Sequence, residues 1–315
     1  MKVNVSHNSA LEYWRLQEAV PDRSSTIWNN VIIPDKPPIV EQLLHINLSR
    51  PVHLITSQKG ARRSSHRMKN HLYSGPTFFG CFAKAKEGYR VSSPELCFLQ
   101  MASSLSLCEL IELGYELCGS YSLLPGSSND TLSRGFFQRA PLTNSKRLND
   151  FVSRMAGVKG CQKVRRALRY VLDGSASPME TKLAMLLTLP NILGGYGIDS
   201  PKLNYQLKPA KVASKAASKN YYVCDLYWPD YKLAVEYDST QYHSGQEQIA
   251  QDSKKRSALG AMGITVMTVT RQQLYSSSEF EKVVRALAAQ LGKRYRVNEE
   301  SFPSAHHELR SQLFT

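Results

Sequence analysis

The sequence predicts a mixed α/β chain of two domains, an α+β unit followed by a compact α/β unit. Three observations carry this. The chain has 315 residues, longer than one ordinary domain and enough for two. Hydrophobic residues make up 42% and charged residues 21%, the balance of a chain that buries a core. The C-terminal part switches between helical and strand periodicity in the order helix, two strands, helix, strand, helix.

Residues 1–37 read as an N-terminal segment and linker. A helical patch from Leu11 to Val20 stops at Pro21, and Pro34, Pro37 and Pro38 mark the break. Residues 38–155 read as the α+β domain, with an accessory or recognition role. In it Pro51 to Ser57 alternates as a strand. A basic stretch follows (Lys59, Arg62, Arg63, His66, Arg67, Lys69), then a turn at Gly75-Pro76 and an apolar stretch from Thr77 to Ala83. Ser93 as N-cap and Pro94 in the first turn open a helix whose apolar residues recur through Leu113. Pro125 to Asp130 reads as a loop.

Residues 156–315 read as the second domain. Val158, Cys161, Val164, Leu168 and Val171 recur at helical spacing, and Lys163, Arg165, Arg166 and Arg169 cover the other faces. Those four cations suit a solvated surface and phosphate contacts equally. Ser177-Pro178-Met179-Glu180 opens the next helix, to Leu189. Gly194, Gly195 and Gly197 suggest a flexible loop, and the segment with Lys202, Lys208, Lys211, Lys215 and Lys219 suggests a mobile basic arm or hairpin. Tyr221 to Trp228 and Lys232 to Asp238 are strands joined at Pro229-Asp230. A helix fits Gly245 to Met262, a buried β-branched strand Ile264 to Thr270, and a closing helix Ser278 to Gly292. The tail beyond Tyr295 is polar and reads as loose.

The formal net charge is +14, from 40 Lys and Arg against 26 Asp and Glu. An excess of that size argues for a polyanionic partner. No apolar run reaches the roughly 18 residues of a membrane span. Met1 to Ser9 lacks an apolar signal core, so nucleic acid is the expected polyanion and the cytoplasm the expected place. Cys81, Cys97, Cys108, Cys118, Cys161 and Cys224 form no C-x-x-C pair, lie mostly in apolar stretches and suit buried thiols rather than metal ligands.

The chemistry concentrates in Lys232 to Asp238, KLAVEYD. Alternate side chains of a strand share a face, so Ala234, Glu236 and Asp238 point one way. The hairpin turn brings Asp225 opposite Val235 and Glu236. Adjacent carboxylates on a sheet repel, and removing them from water adds several kcal/mol per ion. A hard divalent cation such as Mg²⁺ relieves that cost. The competing reading has Asp225 and Asp238 merely ending strands, with Glu236 solvated.

The run from Tyr222 to His243 resembles the Vsr-like branch of the PD-(D/E)XK nuclease superfamily. The resemblance lies in Asp225, Trp228-Pro229, Glu236-Tyr237-Asp238, Tyr242-His243, Asp252 with Arg256, and Gly263, in that order. It implies a restriction-endonuclease-like αβββαβ core. It also implies Asp225 and Glu236 as ligands of Mg²⁺ or Mn²⁺, Asp238 as a ligand or water-orienting acid, and His243 as general base or phosphate ligand. Glu180 matches the acid that the first helix of this superfamily contributes. It equally completes a capping box with Ser177. Two positions depart from the pattern: Asp238 stands where the motif lysine is expected, and Ser239 where a Gly is usual. Lys182, Lys254 and Lys255 are the lysines a neighbouring helix could supply. A fainter likeness, in Pro51 to Arg67 and Val91 to Ala102, is to the C-terminal region of AbiEi-type antitoxins.

The expectation is therefore a metal-dependent endonuclease acting on double-stranded DNA, in phage defence, mobile-element biology or repair. Arg62, Arg63, Arg67, Lys163, Arg165, Arg166, Arg169, Lys254, Lys255 and Arg256 are the expected nucleic-acid contacts, and the first domain a possible place for a protein partner. The alternative is a non-catalytic DNA-binding or regulatory protein on a degenerate nuclease fold, with an RNA-directed protein as a third reading.

Overall fold

The computed structural model describes residues 3–18, 31–36, 38, 43, 45–85, 88–124, 135–208, 221–238, 246–297 and 300–314. The chain is mixed α/β and divides into two compact units, the first running to Val171 and the second beginning at Leu172.

The first unit contains β1 (Asn4–Val5), α1 (His7–Arg15), β2 (Val52–Thr56), β3 (Met68–Leu72), β4 (Phe82–Lys84), β5 (Arg90–Ser92), α2 (Pro94–Met101), α3 (Leu107–Cys118), β6 (Tyr121–Leu123), β7 (Phe136–Gln138), α4 (Ser145–Arg154) and α5 (Cys161–Leu168). Five strands form one sheet in the order β3-β2-β1-β5-β4, and β6 and β7 form a hairpin. The sequence placed residues 1–37 outside the first domain, but β1 is the middle strand of its sheet. It lies antiparallel to β2 and parallel to β5. The domain boundary expected near residue 155 falls at Val171 instead, because α5 packs on α3 and α4 through its buried Val164, Ala167 and Leu168.

The helix expected from Ser93 through Leu113 is two helices. Ser93 accepts from the Leu96 N–H and starts α2, the chain turns at Ala102 to Leu105, and a capping box between Ser106 and Glu109 restarts it as α3. The unit closes around a buried ion pair. The Arg15 guanidinium donates to Glu116 Oε1 at 2.9 Å and to Oε2 at 2.6 Å, and the Leu123 N–H adds a bond to Oε1. Burial opposes the Arg15 charge, but Glu116 outweighs it and holds the guanidinium above its ordinary range.

The second unit contains α6 (Pro178–Thr188), β8 (Lys202–Leu207), β9 (Tyr222–Trp228), β10 (Leu233–Asp238), α7 (Gln246–Ala261), β11 (Thr265–Thr270), α8 (Arg271–Tyr275), α9 (Ser277–Gln290) and α10 (Phe302–Phe314). Its sheet runs β11-β10-β9-β8, with β8, β9 and β10 antiparallel in turn and β10 parallel to β11. From α6 to β11 the element order is α, three β, α, β. Pro229–Tyr231 forms a 3-10 turn between β9 and β10, and Lys232 leaves it at φ 46.

Several expectations need correction. Lys202 to Leu207 is an edge strand and no basic arm; the lysines beyond Lys208 lie outside the described residues. β11 is also an edge strand, and of its six residues only Val269 is buried. The glycine loop is packed: a Cβ on Gly194 would stand 2.3 Å from the Ala305 carbonyl oxygen, and one on Gly195 2.2 Å from that of Leu189. The tail is helix α10, which buries Phe302, His306, Leu309 and Leu313. The C-terminal helix expected from Ser278 to Gly292 is α9, preceded by the short α8.

All six cysteines are free thiols, five of them buried. Among the described residues no helix is long and apolar enough to cross a membrane.

Replacing Glu116 with Gln strands the Arg15 charge inside the first unit. The expected cost is about 3–5 kcal/mol of folding stability, read by denaturant unfolding. A change under about 1 kcal/mol would mean the pair is dispensable.

Candidate acidic site on the second sheet

β9 and β10 are the two central strands of the second sheet. Leu233 lies opposite Trp228, Ala234 opposite Tyr227, and Val235 opposite Leu226. The next pair on that register is Glu236 and Asp225. There the backbone ladder gives way: the Tyr237 N–H donates to Asp225 Oδ2 at 2.8 Å, so a side chain takes the place of a strand carbonyl.

The same point is irregular on the other flank. β8 pairs with β9 at Leu203–Leu226 and Tyr205–Cys224, but Asn204 and Asp225 between them do not pair. Asn204 stands at φ 44, a left-handed conformation that Asn tolerates better than most residues. Its side-chain amide donates to Glu180 Oε2 at 2.5 Å. Glu180 also accepts from the Ala176 N–H at 2.9 Å and the Ser177 hydroxyl at 3.0 Å. Ser177 in turn caps α6 through the Glu180 N–H. The capping box expected of Glu180 is half formed, since its carboxylate takes the Ala176 N–H rather than that of Ser177, and the Asp225 charge acts on it.

Helix α7 supplies the counter-charge. Leu259 packs with Ala234, Tyr222, Cys224, Tyr227 and Ile264 in one core cluster. Lys255 precedes Leu259 by four residues, about 6 Å along a helix, and Glu236 follows Ala234 by two, about 6.6 Å along a strand. The two spacings match, and Lys255 Nζ meets Glu236 Oε2 at 2.6 Å. Of the three lysines the sequence offered, this is the one at the acids. Lys182 is buried and donates to the Leu313 carbonyl of α10, while Lys254 is exposed.

The electrostatics follow from burial. Desolvation, then the Asp225 charge, pushes Glu236 up to about 7 against the pull of Lys255. Desolvation also raises Asp225, opposed by the Tyr237 N–H and Lys255. Desolvation and then Asp225 raise Glu180, against its three hydrogen-bond donors. Burial works against the Lys255 charge, but Glu236 outweighs it and holds the ammonium above its ordinary range. As an ionised oxygen, Glu236 Oε1 is buried without a partner. A proton on this carboxyl turns it into a donor toward Asp225. Cys224, read from the sequence as a buried thiol, is one and lies against Glu236, and burial pushes its thiol up to about 12.

The structure brings Asp225, Glu236 and Lys255 together, with Glu180 in electrostatic contact. It does not gather Asp225, Glu236 and Asp238 into one ligand set: among the described residues no group of three His, Cys, Asp or Glu is placed to hold a metal ion. Asp238 lies two residues past Glu236 at the end of β10, roughly 6.6 Å along the strand. His243, with Tyr242, lies outside the described residues. Lys255, expected as a nucleic-acid contact, is committed to Glu236. Arg256 is exposed, as are Arg62, Arg63, Arg67, Arg165, Arg166 and Arg169. Lys163, by contrast, donates to the Leu105 carbonyl and is no free phosphate contact. Gly263, at φ 73, makes the left-handed turn that ends α7 before β11.

No family model matches the chain. No solved structure matches it either. It is similar to two Mycobacterium tuberculosis proteins, Uncharacterized protein MT2308 (strain CDC 1551 / Oshkosh) and Uncharacterized protein Rv2248 (strain ATCC 25618 / H37Rv). Each is 22% identical over 122 residues, 39% of this chain and 40% of its own length. The chain thus spans about two fifths of the length of the curated relatives it matches.

Two tests address this geometry. The folded-state pKa of Glu236 lies above its ordinary 4.5, so the stability it adds is complete below pH 4.5 and lost as pH rises through about 7. Glu236→Gln should flatten the fall in melting temperature between pH 5 and 8, by the equivalent of about 1–3 kcal/mol; an unchanged profile would place the titration elsewhere. Asn204→Gly accepts φ 44 without strain but removes the amide from Glu180. Stability should move by less than about 1 kcal/mol, while carboxyl-carbon NMR titration should find Glu180 raised further.

Proposed function

We propose that the second unit is a metal-dependent endonuclease of the PD-(D/E)XK type, hydrolysing phosphodiester bonds in DNA. The observation that carries this reading is the meeting of Asp225, Glu236 and Lys255 across β9, β10 and α7, with Glu180 of α6 in the same field. The α-βββ-α-β element order supports it.

The donor set fits a small hard cation. Mg²⁺ takes one or two carboxylates and keeps several waters, so two half-buried acids suffice without a third protein ligand. The orphaned Oε1 of Glu236 is the buried acceptor such an ion satisfies. Asp225 and Glu236 would hold the ion, which when bound supplies charge neutralisation at the phosphate and a more acidic water.

The chain's own residues do the rest. The Tyr237 N–H fixes one oxygen of Asp225, so its carboxyl cannot swing away. Glu180, saturated by Ala176, Ser177 and Asn204, acts as a fixed negative neighbour rather than a ligand. Lys255 takes the place of the strand lysine that Asp238 leaves missing. Its ammonium favours the ionised form of Glu236 against burial and Asp225, and stands ready to stabilise negative charge as water attacks phosphorus and the sugar oxygen leaves. The exposed Lys254 and Arg256 flank it on α7 and offer contacts to the DNA backbone.

A second reading has its own observation. In the closed Lys255–Glu236 pair the lysine already offsets the acid without a metal, which also suits a fold that binds DNA without cutting it. The two readings part in a plasmid-nicking assay with Mg²⁺ or Mn²⁺. The nuclease reading expects nicking that falls at least about a hundredfold in Asp225→Asn and in Glu236→Gln, and about as far in Lys255→Met. Metal-independent DNA binding with no nicking on any substrate supports the second reading, and nicking retained in the Asp225→Asn/Glu236→Gln double variant overturns the site.

A further inference from the structure

Between Glu41 and Glu87 the chain carries no acidic residue, against eight Lys and Arg. β2 and β3 of the first unit lie in this stretch, and β3 is the outer strand of its sheet. Arg62, Arg63 and Arg67, between the two strands, are exposed, and so is Lys69 on β3.

Beside them stands a cluster the sequence could not reveal. His53 on β2 lies opposite Lys69, so the two share a face of the sheet, and His71 follows two residues on. His71 Nε2 is 3.2 Å from His53 Nδ1, and the His7 ring at the start of α1 stacks on His71 at 3.7 Å between centroids. His7 Nδ1 also meets the Ser6 hydroxyl at 2.9 Å, and its backbone N–H donates to Gln100 of α2. The charged groups acting on the three rings are one another, Lys69 and, for His71, Arg62, with no carboxylate among them. Burial first, then those neighbours, holds all three imidazoles below their ordinary value, His71 down to about 4.

Such a group is short of an anion. The Lys69 ammonium and the Arg62 guanidinium beside the neutral rings repel further positive charge, and among the described residues no group of three is placed to hold a metal ion. A phosphate reverses the balance. It accepts from ring N–H groups, pairs with Arg62 and Lys69, and makes protonated rings favourable. Duplex DNA presents a dense row of phosphates to a row of exposed cations such as this.

We propose that this face of the first unit is a nucleic-acid-binding surface, on which Arg62, Lys69, His53 and His71 contact the phosphodiester backbone and the two histidines take up protons as the phosphate docks. This goes beyond the acidic site of the second unit and does not depend on it.

The test is fluorescence anisotropy of a short labelled DNA duplex with the full chain, in EDTA and at constant ionic strength, from pH 5.5 to 8. EDTA removes cleavage, so the outcome is independent of whether the protein is a nuclease. Affinity should rise about tenfold from pH 7.5 to 5.5, as expected when binding takes up roughly half a proton on average over that range. The His53→Gln/His71→Gln double variant should bind with less than about a threefold change over that range. This comparison isolates the histidines from Glu236, which also titrates here but is present in both proteins. Arg62→Ala with Arg63→Ala should weaken binding at every pH and flatten its salt dependence. The same pH slope in the histidine variant overturns the proton linkage. An unchanged affinity and salt slope in the arginine variant, or binding to phosphatidylserine vesicles with none to DNA, overturns the surface.

Discussion

Two carboxyl groups held side by side in poor contact with water, Asp225 and Glu236, set the terms for the second unit. Left alone, the pair would protonate or force the hairpin apart, since neighbouring charges there are screened far less than on the surface. The surrounding structure answers this conflict from three sides. The Tyr237 backbone gives up a ladder bond to hold Asp225. Lys255 brings a positive charge to Glu236. The remaining strain shows as raised proton affinity in Asp225, Glu236 and Glu180 together. A protein that needed only stability would do better with apolar residues at these positions, which is the physical reason to read them as a working site.

The flanking elements make sense in the same light. Asn204 accepts a left-handed backbone that interrupts the β8–β9 pairing, and its side-chain amide fixes Glu180. Leu259 in the core cluster sets the rotation of α7, so Lys255 one turn away has to face Glu236 while Lys254 and Arg256 face solvent. The site is thus a by-product of ordinary packing on one side and of a deliberate irregularity on the other.

How much of this was legible in the sequence follows from the range of each interaction. The β9–β10 hairpin, its turn and the opposition of Asp225 to Glu236 could be read because strand alternation and a short turn are local signals. The choice of Lys255 over Lys182 and Lys254 could not, because it depends on which face of α7 meets the sheet. β8 was lost because an edge strand with Lys, Asn and Gln at alternate positions looks like a polar arm. Helix α10 was lost for a different reason: Phe302, His306, Leu309 and Leu313 do recur at helical spacing, but polar residues between them masked the stripe. The three histidines at 7, 53 and 71 are joined only by the sheet order β3-β2-β1, which nothing local announces.

The two units also differ in the sign of the problem they pose. The second gathers acids and recruits one lysine to offset them. The first gathers imidazoles beside Arg62 and Lys69 with no acid acting on them, and keeps the rings neutral by burial. A cation would relieve the acids of the second unit and an anion the basic cluster of the first. A polyanion carrying its own counter-cations, as nucleic acid does in a solution of Mg²⁺, offers both. Among the described residues, exposed cations lie on both units, while Asp225 and Glu236 are half-buried. If both proposals hold, the proposed DNA surface of the first unit and the proposed metal site of the second are separate, and losing either should leave the other measurable.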